Sequence, residues 1–327
     1  MIRLFDDANY DFLAARKVAY GLSLAVALVG FIALGFRGLN EGIEFTGGTF
    51  IQIHAVDSTI SVGGIRTALV SRGINAEITT FGTPRDFSIR TQVSAETEDA
   101  DDAAQQAARD VEAALTEGFG AGSYTVDRVE AVGPKVGGEL RTKALLAIVL
   151  SFGATLVYLT FRFEWRFAVA AIVATAHDIM LTMAFLGLMH LEVTLVVVAA
   201  VLTIVGYSLN DTIIVFDRVR ENLRKYKRAN IYEILNRSVN ETLPRTVLTG
   251  GTTLAATLSL LIFAGPVIRG FAWVMTFGII VGTFSSIYIA SPVLLAIERR
   301  WPGEDIRGTK ALAASPATAA TPAGQTT

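Results

Sequence analysis

The chain has 327 residues, of which 52% are hydrophobic and only 18% charged, with a mean hydropathy of +0.48 and a net charge of -2. Soluble domains carry about 25% charged residues, so this is neither an ordinary soluble protein nor a disordered one, and bulk charge gives no reason to expect a nucleic-acid partner. The absence of cysteine excludes disulfides, thiolate metal sites and cysteine nucleophiles, and the absence of any Gly-Lys pair excludes a P-loop.

In chain order, residues 1–17 form a short N-terminal stretch, and an apolar run over 18–36 follows. A membrane-spanning helix needs about 20 residues at about 1.5 Å per residue, and this run is long enough. No small-residue cleavage site follows it at Phe36-Arg37-Gly38-Leu39, so it is read as a retained helix rather than a leader. Segment 37–143 then changes character. Glu44–Ala55 reads as a strand with a bend at Gly47-Gly48, Val62–Arg72 as a helix and Ala76–Phe81 as a strand. Gly82-Thr83-Pro84 reads as a turn, Asp86–Val93 as a strand, Thr97–Glu117 as a helix opened by acidic residues, and Ser123–Val132 as a last strand. The order βαββαβ is that of a ferredoxin-like α+β domain, a common scaffold that says little about function.

Five more apolar runs follow, at 144–161, 167–189, 193–216, 247–268 and 271–297. The fold class expected is therefore a polytopic α-helical membrane protein with six transmembrane helices and one ferredoxin-like domain. Lys and Arg concentrate in 1–17, 162–166, 217–245 and 298–310, whereas 190–192 has none and 265–270 only Arg269. By the positive-inside rule both termini are cytoplasmic and the 37–143 domain is extracytoplasmic. The tail 298–327 is expected to be disordered after about 311, where Ala, Thr and Pro dominate.

Ionisable residues inside apolar runs are the functional candidates, because a charge at the bilayer centre costs about 2.5–3.5 kcal/mol on insertion scales. Asp211 lies in the fourth run, flanked by Ser208, Asn210 and Thr212, at a depth that a short side chain does not escape by snorkelling. A carboxylate that changes charge there can carry a proton; one that only packs helices would be a hydrogen-bonding group. Arg245, at the start of the fifth run, is the natural partner if those helices are antiparallel neighbours, and is equally an ordinary membrane anchor. His177-Asp178, near the middle of the third run, is a second polar pair. Successive residues point about 100° apart on a helix, so the two are expected to need different neighbours. Gly278 and Gly282 form a G-x-x-x-G, read as helix packing. The histidines His54, His177 and His190 are too scattered for a metal motif, and no nucleophile–base pair stands at motif spacing. No cofactor, metal or enzymatic activity is expected.

With these residues in view, the chain resembles the SecF family, the smaller membrane subunits of the bacterial SecD–SecF export complex in the RND superfamily. The likeness runs from about residue 18 to 297. It rests on Gly42-Ile-Glu-Phe-Thr-Gly-Gly48, with Gly42, Glu44, Gly47 and Gly48 as the motif positions, on His177-Asp178, and on Gly206-Tyr-Ser-Leu-Asn-Asp-Thr-Ile-Ile-Val-Phe-Asp-Arg-Val-Arg-Glu-Asn222. Asn236, Thr242-Leu-Pro-Arg-Thr246 and Gly278-Ile-Ile-Val-Gly-Thr-Phe-Ser-Ser-Ile287 add to it. Glu44 stands where the family usually has Asp, Pro244 where Ser is usual, and Phe284 where Tyr is common. The resemblance implies a SecD partner, association with the SecYEG channel in the inner membrane, contact with an unfolded translocating chain and with lipid, and export driven by the proton-motive force. It also implies that Asp211 and Arg245 form the proton relay. Two other readings stand beside it: half of an RND-type exporter of small molecules or lipids, and a structural subunit that moves no protons.

Overall fold

The computed structural model describes residues 8–80, 83–91 and 100–301. The expected continuation of a strand to Val93, the helix opening at Thr97, the turn residue Gly82 and the low-complexity tail lie outside the described residues.

Among the described residues, six helices are long and apolar enough to cross a membrane. The first is α1, Arg16–Arg37, and the chain then enters an α/β domain through a two-residue strand β1, Asn40–Glu41, and one turn of helix α2, Ile43–Thr46. The expected strand from Glu44 is thus a correction: Glu44 is helical, and strand β2 begins at Gly48 and runs to Ala55. The reversal is made by Gly47 (φ 76°) and Gly48 (φ 125°), a left-handed region that disfavours any side chain. The domain continues with α3 (Val62–Val70), β3 (Ala76–Thr80), β4 (Asp86–Thr91), α4 (Ala100–Phe119) and β5 (Tyr124–Val132). Its antiparallel sheet has the order β3-β4-β2-β5. Period-two alternation decides what each face does. Ile51, Ile53, Phe87 and Ile89 turn toward α3 and α4, joining Ile65, Leu69, Val111 and Leu115 in one core. Phe50, Gln52, Ser88, Arg90 and Arg128 turn the other way, toward the helix bundle.

The bundle resumes with α5 (Pro134–Arg162) and α6 (Trp165–Met189), then β6 (Glu192–Val193), α7 (Leu195–Lys225) and α8 (Ile231–Phe263). The last rod is α9 (Pro266–Ser285), a π-helical turn (Ser286–Ala290) and α10 (Ser291–Arg300). Three helices extend well beyond the apolar runs that reveal them, and one corrects the expected domain end at residue 143: α5 already begins at Pro134, ten residues before its run. Most of the expected 217–245 loop is helical, because α7 continues to Lys225 and α8 starts at Ile231. Hydropathy marks where a helix leaves lipid, not where its hydrogen bonding ends. Pro244 lies within α8 and does not end it.

Small residues set the closest helix contacts, as membrane packing requires. On α1 the buried face is Ala19, Ser23, Ala27 and Gly30. A Cβ on Gly30 would stand 2.5 Å from the Ala184 Cβ of α6. Gly278 and Gly282 of α9 face Ile204 and Ser208 of α7, where a Cβ on Gly282 would meet the Ser208 Cβ at 2.9 Å. These approaches put α6, α7 and α9 at the centre, while α5 and much of α8 remain on the outside of the bundle.

Candidate functional site

Asp211 sits on α7 and is 9% exposed. The Thr246 hydroxyl of α8 donates to its Oδ1 at 2.6 Å, and the Ser286 hydroxyl at the start of the π turn donates to its Oδ2 at 2.5 Å. Arg245 is exposed and is not among these hydrogen-bond partners, but lies within electrostatic reach of the carboxylate. On α8 it is the next residue, Thr246, that touches Asp211. One turn away on α7, Tyr207 carries its hydroxyl to Thr253 of α8. Asn210, beside Asp211 in sequence, faces out of the bundle.

Asp178, on α6, is 1% exposed. The Ser285 hydroxyl donates to its Oδ2 at 2.7 Å, and Ser208 of α7 donates to the same oxygen. His177 Nδ1 is 3.0 Å from Asp178 Oδ1, and His177 Nε2 is 3.0 Å from the Ser23 hydroxyl of α1. The expectation that the two adjacent residues need separate neighbours is therefore half corrected: they bond each other and also reach α1, α7 and α9. With the ring hydrogen on Nδ1, His177 donates to the carboxylate and accepts from Ser23. Ser208, expected to belong to Asp211 by sequence adjacency, serves Asp178 instead. Ser23, Thr246, Ser285 and Ser286 went unrecognised as site residues. The available signal was the Ser285-Ser286 doublet within an apolar run, four residues beyond the packing glycines.

The glycine-rich motif lies elsewhere, where the α/β domain meets the bundle. The Gly42 N–H donates to Val193 O at 2.9 Å, and a Cβ there would meet Glu192 Oε1 at 3.0 Å. β1 pairs in parallel with β6, Asn40 against Glu192. Glu44 accepts the backbone N–H of Leu195, the first residue of α7, at 2.5 Å. Arg90 of β4 reaches Glu192 at 2.6 Å. These groups border a cleft of about 330 Å³ between the sheet and the bundle, closed on the far side by Arg269 and Trp273. Burial pushes the Glu44 carboxyl above its ordinary range, opposed by the Leu195 N–H. Burial raises Glu192 as well, opposed by Arg90. Among the described residues no group of three or more His, Asp or Glu side chains is placed to hold a metal.

A bundle with two carboxylates buried between helices, carrying an α/β domain inserted after its first helix, defines a multi-pass helical membrane protein. A family model described as the SecD/SecF C-terminal region matches residues 111–300, and one for the SecD/SecF GG motif matches residues 32–56. The chain belongs to the SecF family. It is 51% identical to the protein translocase subunit SecF of Gemmatimonas aurantiaca, over 94% of this chain and 93% of that one. It is 38% identical to SecF of Escherichia coli O157:H7, over 88% of each. Among solved structures it resembles SecDF of Thermus thermophilus, described as a translocon-associated membrane protein, with a TM-score of 0.80 and 35% identity. That match covers 92% of this chain and 40% of the solved one, so the chain spans about two fifths of the SecDF length. SecDF in a super-membrane-facing form matches with a TM-score of 0.65 at 36% identity, covering 91% of this chain and 40% of that one.

Proposed function

We propose that this chain pairs with SecD and uses the proton-motive force to promote late translocation of secreted chains emerging from SecYEG. It acts as a transport subunit rather than an enzyme. The unit at 37–143, ferredoxin-like by its strand order, stands outside the cytoplasmic membrane, with both termini inside. Arg162, Arg166, Arg218, Arg220, Arg299 and Arg300 lie at helix ends remote from that unit, which favours this orientation.

One observation carries the reading. Asp211 is buried within a membrane-spanning helix, and its direct partners are two hydroxyls rather than a cation. Hydroxyls can donate to a carboxylate and can also accept from a carboxylic acid, so both charge states are hydrogen-bonded in place. A salt bridge would hold one state only. Arg245 is near enough to favour ionisation without locking it. Each proton that crosses contributes about 2.3 kcal/mol per 100 mV, enough for a few protons to bias a domain rearrangement. The solved SecDF structures include differing forms, and at nearly equal identity this chain's arrangement is nearer to one than the other.

The same hydroxyl contacts favour a second reading, a structural subunit whose interhelical hydrogen bonds contribute about 0.6 kcal/mol each. Export into vesicles containing the chain with its SecD partner separates the two. Asp211→Asn is isosteric and retains hydrogen bonding. The proton reading expects assembly to persist and the gradient-dependent part of export to vanish. Export that still responds fully to the gradient would establish the structural role.

A further inference from the structure

The two buried carboxylates are hydrogen-bonded from consecutive residues of one helical rod. Ser285 and Ser286 are consecutive, and their hydroxyls reach different acids: Ser285 to Asp178 and Ser286 to Asp211. Each serine also has a second acceptor in range. Ser285 Oγ lies 3.1 Å from Gly282 O, and Ser286 Oγ lies 3.0 Å from Thr283 O. A hydroxyl has one hydrogen and cannot satisfy both. When the acid is ionised, the serine hydrogen points to it. When the acid is protonated on the oxygen facing the serine, the acid donates to the serine oxygen and the serine hydrogen turns to its own helix carbonyl. The position of that hydrogen therefore records the charge of the acid.

The serines stand where this record can matter. Ser286 opens the π turn, a widened and weakened piece of helix, and Ser291 Oγ holds Ser286 O at 3.1 Å across it. Ser208 provides a second link, since it sits three residues before Asp211 on α7 and donates to Asp178. From Asp178 the contacts continue through His177 to Ser23 on α1, the helix that runs directly into the α/β domain. The ionisable groups around the two acids are His177 on α6, Tyr207 on α7 and Arg245 on α8, while α1 and the α9–π junction contribute hydroxyls.

We infer that Asp178 is a second proton-holding carboxylate, coupled to Asp211 through the hydroxyls of Ser285 and Ser286. Asp211 exchanges the proton, the serine pair transmits the change, and the His177–Asp178 pair passes it to α1. The inference rests on the proton reading of Asp211. It makes Ser285 and Ser286 positioning residues, and gives the π turn a task that helix packing alone does not.

Infrared difference spectra of the full chain with its SecD partner in lipid vesicles test this, read at the carbonyl stretch of protonated carboxyls during a pH titration. Asp178→Asn and Asp211→Asn assign the two bands. The expected result is that Asp211→Asn removes one band and moves the midpoint of the other by about one pH unit, the signature of coupled sites. In a Ser285→Ala, Ser286→Ala background both bands persist and that movement is lost. Ser285→Thr with Ser286→Thr, which keeps the hydroxyls, restores it. An Asp178 band that never titrates, or a midpoint indifferent to Asp211→Asn, overturns the inference. So does a midpoint movement that survives loss of both hydroxyls. Gradient-dependent export in the same vesicles keeps the two claims apart. Uncoupled bands with export still abolished by Asp211→Asn defeat only the Asp178 link, whereas export indifferent to Asp211→Asn defeats the proton reading itself.

Discussion

The two buried aspartates of the bundle and the charged groups of the cleft beneath the α/β domain are satisfied in opposite ways. In the cleft, arginine meets carboxylate: Arg90 with Glu192 at 2.6 Å, Arg128 with Glu130, and Arg141 with Glu41 at 3.1 Å nearby. In the bundle, Asp211 and Asp178 are met by hydroxyls and one imidazole. Guanidinium is charged at every accessible pH, so the cations of the cleft are fixed and only its carboxylates can change state. Hydroxyl and imidazole accept or donate as required, so the bundle is built to pass between states. A stationary clamp and an adjustable core lie in one molecule, connected by α7.

Variants can break or sharpen this contrast. The largest effect is expected from Asp178→Ala, which strands the Ser208 and His177 donors in a buried site and leaves Ser285 only its Gly282 carbonyl. Loss of about 3–5 kcal/mol is expected, measured as thermal unfolding in lipid-like detergent, with Asp178→Asn much milder. Next is Gly30→Val, which drives a branched side chain into Ala184. A cost of about 1–3 kcal/mol is expected, with fewer disulfide cross-links between cysteines introduced on α1 and α6. Arg90→Ala leaves Glu192 without its guanidinium and should cost about 2 kcal/mol in docking of the domain, seen as faster hydrogen exchange at Asn40 and Glu41. Glu44→Gln is expected to be smallest, about 0.3–1 kcal/mol, since an amide still accepts from Leu195 N–H but loses the favourable charge at a helix N-terminus.

A pH dependence follows from the same cleft. Burial raises Glu44 and Glu192 when the domain is docked. The docked state therefore keeps protons that the open state has already released. Docking strengthens as pH falls through the raised values and levels off below the ordinary carboxylate range. Spin labels at Val70 and Val267 should show the docked distance gaining population on acidification. A loss of docking on acidification would mean that the Arg90–Glu192 pair outweighs burial.

Much of the architecture was legible in sequence for a simple reason. Apolar runs near the bilayer thickness admit few alternatives, and period-two alternation separated the strands of segment 37–143 from its helices. What escaped detection was what depends on contact. A two-residue strand such as β1 has too few residues to show a period. Glu44 looked like part of a strand because Phe45, Phe50 and Ile51 are strand-compatible, and only the neighbouring backbone makes Gly47 the reversal point. The acids were visible because they are costly in lipid. Their partners were not, because most serines and threonines in these helices bond back to their own carbonyls, as Thr175 and Thr182 do. Nothing local distinguishes those from Ser286 or Thr246.

The hydrogen bond from Leu195 to Glu44 has a mechanical meaning. α7 is an unbroken rod from that contact to Asp211, sixteen residues or about 24 Å along its axis. A hydrogen-bonded helix resists compression along its length. If proton exchange slides α7 as the proposed function requires, the slide at Asp211 would arrive at Glu44 undiminished, at the foot of a domain already fastened to the ends of α1 and α5. With two fixed feet and one that can be pushed, such a slide would become a tilt, and the far rim of the domain would sweep farther than the rod moved.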